Sequence, residues 1–161
     1  MWIKFAKKGS GEPSITVAEA VEVALCYGWI DGQAKSIDDR HYLQRFTPRR
    51  AASMWSKINR DRVARLIETG RMRAAGLAEV ERAKADGRWD AAYDSPKTAA
   101  VPDDLRRALE CTPAARAAFD RLTATNRYSI LYRLQIAKRP ATRARQIERC
   151  VSMLAAADRR S

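Results

Sequence analysis

The chain has a single histidine, His41. That excludes most histidine-based metal sites, and any catalytic triad would hang on this one ring. Cysteine is scarce as well: Cys26, Cys111 and Cys150 are scattered, odd in number and form no C-x-x-C pair. A disulfide framework or a zinc ribbon needs paired cysteines, so three reduced, mostly buried thiols are expected. No apolar run approaches the roughly 20 residues that cross a bilayer. The stretch from Met1 to Gly9 is charged and lacks a secretory apolar segment. Membrane insertion is therefore not expected, and the cytoplasm is the expected location. Walker A, GxGxxG, GxSxG and HExxH patterns are all missing. No cofactor and no metal are expected.

Acidic residues are also in short supply, 19 against 31 basic ones, for a net charge of +12. Such a surplus creates a positive potential that draws in anions. Nucleic acid, another polyanion or an acidic protein are the natural partners. The 161 residues suit one domain with its own core. The composition, 46% hydrophobic and 31% charged, is that of a globular protein.

The pattern predicts an α+β fold. Trp2 to Lys8 reads as a strand, with Ile3 breaking an apolar/polar alternation. Thr16-Val17-Ala18-Glu19 matches a capping box, followed by a helix from about Val17 to Tyr27 and a stop at Gly28. Asp31-Gly32 reads as a turn. Gln33–Ile37 and Arg40–Phe46 follow as short strands around Asp38-Asp39. Tyr42, Gln44 and Phe46 would share one strand face, and His41, Leu43 and Arg45 the other.

After Thr47 the period becomes helical. Ser56 reads as an N-cap for a helix from Lys57 to Thr69, with Ile58, Val63, Leu66 and Ile67 as its buried side. A helix over Ala74–Asp86 and a linker over Arg88–Thr98 come next. Helices starting at Pro102 and Thr112-Pro113 follow, the latter reaching Leu122. Another, capped by Thr125, runs to about Lys138, and a last one covers Ala141–Ala157. The expected architecture is a small N-terminal antiparallel sheet with one helix, then a predominantly helical part. It is read as one domain, 1–161, with a β-containing subregion 1–50 and a helical subregion 51–161.

Several stretches carry a family resemblance. They are Gly28-Trp29-Ile30-Asp31-Gly32, Arg45-Phe46-Thr47-Pro48-Arg49-Arg50 and Trp55-Ser56-Lys57-Ile58-Asn59-Arg60, with Arg71-Met72. Ala83-Lys84-Ala85-Asp86-Gly87-Arg88-Trp89, Asn126-Arg127-Tyr128, Ala137-Lys138-Arg139-Pro140 and Thr142-Arg143 complete them. Together the sequence resembles the bacterial YdeI/OmpD-associated, or bacteriocin-protection, family over nearly its whole length. The resemblance implies a compact α+β bacterial protein. Its name implies a stress or antimicrobial-peptide resistance role. It carries no reaction over to particular residues.

Basic clustering is the main functional signal. Residues 40–73 hold 10 basic and 2 acidic residues, and residues 127–149 hold 7 and 1. Arginines interleaved with aromatics suit phosphate contact and base stacking. The candidate ligand contacts are Arg45, Arg49, Arg50, Ser56, Lys57, Arg60, Arg139 and Arg143, with Trp55 as a stacking platform. A core role for the aromatics is the competing reading, and Arg139 and Arg143 could instead neutralise helix ends. Nucleic acid is the preferred partner of a non-enzymatic protein. The alternatives are an enzyme using Asp31 or His41 beside an Arg49/Arg50 anion clamp, and a module for an acidic protein. The oligomeric state is left open.

Overall fold

The computed structural model describes residues 1–158. The polypeptide forms two compact units, Met1–Ala92 and a second that begins at Tyr93. The division falls inside the expected linker.

In the first unit, β1 (Trp2–Ala6), β2 (Trp29–Ser36) and β3 (His41–Pro48) make an antiparallel sheet in the order β1-β3-β2. Helix α1 (Val17–Cys26) lies between β1 and β2 in sequence, and α2 (Lys57–Glu68) and α3 (Ala74–Ala85) follow β3. The capping box is formed: Thr16 Oγ1 accepts from Glu19 N–H, and the Glu19 carboxylate accepts from Thr16 N–H at 2.7 Å. These bonds hold the Glu19 carboxyl below its ordinary pKa. Gly28 ends the helix with φ of +75°, a conformation open to glycine at little cost.

Two local expectations are corrected here. Asp31-Gly32 is no turn: both residues lie within β2. A tight Asp-Gly hairpin turn needs positive φ at both positions, and neither residue has it. The irregularity is absorbed instead by a register shift between Asp31 and Ala34. In α2, Asn59, Val63 and Leu66 face inward, while Ile58 and Ile67 are 44% and 45% exposed. The helix is turned so that positions i, i+4 and i+7 from Asn59 are covered. In β1, Ile3 and Phe5 belong to the inner face, and Trp2 and Lys4 point away from the core.

The first core gathers Phe5, Val21, Leu25, Phe46, Trp55, Val63, Leu66 and Val80. Helices α1 and α3 approach closely because α3 carries Gly76. A Cβ there would collide with the Cys26 carbonyl oxygen and stand 2.7 Å from that of Leu25.

The second unit is helical: α4 (Asp103–Glu110), α5 (Pro113–Asp120), α6 (Ala124–Gln135) and α7 (Pro140–Asp158). Leu105, Leu109, Phe119, Leu131, Leu134, Ile147 and Leu154 form its core. Helix α5 stops at Asp120, before Leu122. The cap of α6 is Thr123, not Thr125; its hydroxyl accepts from Asn126 N–H at 3.3 Å, which lets Ala124 occupy the first helical position. The same helix ends at Gln135, short of Lys138.

Candidate functional site

The sequence-predicted arginines separate into buried and exposed sets. Arg49 is 5% exposed, and its guanidinium carbon sits 3.5 Å from the centroid of the Trp55 ring. Nη1 donates to the Met54 carbonyl at 3.3 Å. Trp55 is 1% exposed, and its ring meets Trp89 edge-on at 5.0 Å. A ring so enclosed offers no face to a base, so the structure withdraws Trp55 as the stacking platform. Arg60 donates to the Trp89 carbonyl at 2.8 Å and lies over that indole. Ser56 spends its hydroxyl as the N-cap of α2, accepting from Asn59 N–H.

Arg88, at the start of the expected linker, completes this knot. It is 2% exposed. Nε donates to both carboxylate oxygens of Asp86 at 2.8 Å, and Nη1 donates to the Ser53 carbonyl at 2.8 Å. Arg49 and Arg60 stack on indoles and each donates to a carbonyl, while Arg88 donates to a carbonyl and a carboxylate and leaves Nη2 buried without a hydrogen bond. Stacking and such bonds are a way to bury charge. The Arg88-Trp89 dipeptide was the available signal for it.

Arg143 is likewise structural. Nε and Nη2 grip the Asp104 carboxylate at 2.6 and 2.9 Å, and Nη1 donates to the Leu134 carbonyl at 2.6 Å. The helix-end reading therefore holds for this residue, and the Asp104 carboxyl is held low by the Arg143 bond. Arg139, in the same unit, is exposed.

Arg45 and Arg50 are exposed and share a cleft of about 270 Å³ with Gly32, Gln33, Thr47 and Ser53. Among the described residues, no acidic one lines it. Neither Ser56 nor the start of α2 reaches it, so the expected helix-end anion clamp is not assembled there. Lys57 is exposed on α2.

Neither Asp31 nor His41 lines this cleft. His41 Nδ1 lies 3.1 Å from Asp38 Oδ1. Asp38 also accepts from the Arg40 and His41 N–H groups, and the Arg40 bond contributes most to holding its carboxyl below the usual range. His41 is thus tied to a turn. Asp31 sits opposite Phe46 in the sheet.

Arg45 also belongs to a wider surface. Strand register places Trp2 opposite Arg45, Lys4 opposite Leu43, and Lys35 opposite Leu43 from the other side. Directly opposed residues share a sheet face, so Trp2, Lys4, Lys35 and Arg45 project together. Trp2 is 46% exposed, and Lys4, Lys35 and Arg45 are exposed. Phe5, Gln44 and Phe46 line the opposite, buried face. The alternation of Trp2 and Lys4 was the available signal for this aromatic.

These elements define a two-unit α+β chain: an arginine-knotted sheet-and-helix unit, then a four-helix unit. Matches to family models divide along similar lines. Residues 1–79 match a domain of unknown function, DUF8412. Residues 98–157 match the family model described as "Bacteriocin-protection, YdeI or OmpD-Associated". The resemblance is thus borne out over residues 98–157, while the N-terminal motifs up to Met72 fall in the other family model and Ala83–Trp89 falls in neither. No curated protein and no solved structure matches the chain. Among the described residues, no cluster of metal-ligating side chains occurs and no helix is long and apolar enough to cross a membrane.

Proposed function

We propose that the first unit binds nucleic acid through the outer face of its sheet, with phosphates as the main target. The observation that carries this reading is the exposed Trp2 among Lys4, Lys35 and Arg45 on a sheet face whose strand residues include no acid. The adjoining Arg45–Arg50 cleft extends the positive surface. A sheet that presents an aromatic between cations suits single strands, whose unstacked bases can lie on the ring while phosphates meet the charges. With no second exposed aromatic on that face, the reading calls for little sequence preference.

Fluorescence polarisation with labelled single- and double-stranded DNA and RNA tests it. Single strands should bind more tightly than duplexes, and Trp2→Ala should weaken single-strand binding roughly five- to hundredfold, the worth of one stacked base. Equal affinity for all four, unaffected by Trp2→Ala, would refute the stacking role. Recovery of an acidic protein that survives nuclease treatment, with no oligonucleotide bound, would favour the protein-partner reading.

A further inference from the structure

The second unit contains a cavity unrelated to the sheet face. It measures about 360 Å³ and lies between α6 and α7, within the range of small-molecule sites. Its lining has two characters. Ile130, Leu134 and Met153 supply apolar surface, and Met153 is 57% exposed at the opening. Arg133 and Arg149 bring two exposed guanidiniums, neither with a carboxylate partner among the described residues. In the same wall the Gln146 side-chain oxygen is buried and makes no hydrogen bond.

We infer that this cavity is a binding site for a small anionic amphiphile, a carboxylate or phosphate on a short apolar body. The division of labour follows from the lining. Two guanidiniums facing one cavity repel each other until an anion sits between them, and each can donate a charge-assisted bond to it. The apolar body then covers Ile130, Leu134 and Met153, which gain by leaving water. Gln146 accepts from any hydroxyl or amide N–H the ligand carries; an unpaired buried acceptor is otherwise a cost. Cys150 closes the floor as a neutral thiol. Burial raises its pKa, with Arg133 pulling the other way, so it adds no competing negative charge.

The test uses the full chain, methyl-labelled at methionine and isoleucine, titrated with octanoate and separately with octan-1-ol. Saturable shifts at Met153 and Ile130, with octanoate preferred about tenfold or more over the alcohol, are expected. The Arg133→Gln/Arg149→Gln variant should lose that preference while still binding the alcohol. Because both side chains are exposed, the variant should fold normally, as circular dichroism would verify. Equal binding of acid and alcohol would overturn the proposal, as would an unchanged preference in the variant or no methyl shift at millimolar octanoate. A vesicle arm separates the lipid source. Co-sedimentation with phosphatidylglycerol vesicles that the Arg133→Gln/Arg149→Gln variant loses and octanoate fails to displace would also overturn it, in favour of a membrane surface; vesicle binding that the variant retains belongs to the basic sheet face.

Discussion

Arg49 and Arg50 are adjacent in sequence and opposite in consequence. Replacing Arg49 with Ala removes a guanidinium stacked 3.5 Å above the Trp55 ring centroid and a 3.3 Å bond to the Met54 carbonyl. A desolvated cation–π contact is worth about 2 kcal/mol, and a charged hydrogen bond about 1.5 kcal/mol. Relief from burying the charge offsets part of this, leaving a net loss of about 2–3 kcal/mol. The backbone bond from Arg49 N–H to the Gly28 carbonyl survives the substitution. For a unit of this size the loss lowers Tm by on the order of 10–20 °C. All four tryptophans, Trp2, Trp29, Trp55 and Trp89, lie in the first unit, so tryptophan fluorescence during heating reports on it directly. Arg50→Ala, at an exposed position, should stay within about 0.5 kcal/mol of the parent. Arg49→Lys should also lose stability, because an ammonium lacks the planar stack. Equal melting of the Arg49 and Arg50 alanine variants would refute the structural role.

Two other predictions concern stability. Gly76→Ala raises helix propensity by about 1 kcal/mol, yet the added methyl meets two backbone carbonyl oxygens at the end of α1; a net loss of about 2 kcal/mol or more is expected in urea unfolding. Asp104 has a folded pKa lowered chiefly by Arg143, so its contribution is present above the unfolded value of about 4 and fades as pH falls through the folded value. Calorimetric melts of the parent and Asp104→Asn should therefore converge as pH falls below about 4; a stability gap that persists at the lowest pH would contradict this.

Local signals were legible where one backbone segment decides the outcome. The Thr16–Glu19 capping box, the Gly28 stop and the Ser56 cap depend on neighbours within a turn, and all three are formed. Signals that tertiary packing can outvote were less reliable. Asp31-Gly32 has turn chemistry, but pairing with β3 drew it into a strand. Ile58 and Ile67 are more apolar than Asn59, yet the rotation of α2 covers Asn59. The candidate site suffered most from this. Arginine interleaved with tryptophan has the same composition whether it faces a phosphate or an indole within the core. Only burial separates Arg49 and Arg88 from Arg45 and Arg50. Sequence spacing likewise placed Trp55 among cations, whereas strand register puts Trp2 beside them on an open face.

The central claim is that exposed cations bind and buried ones hold the fold. The most direct test is the salt dependence of binding to a labelled single strand. Four cations, Lys4, Lys35, Arg45 and Arg50, each releasing about 0.7 counterion, predict a log–log slope near −3. The Arg45→Ala/Arg50→Ala variant should bind more weakly, with a slope flatter by about 1.4, and melt like the parent. An unchanged slope and affinity in that variant would contradict the account.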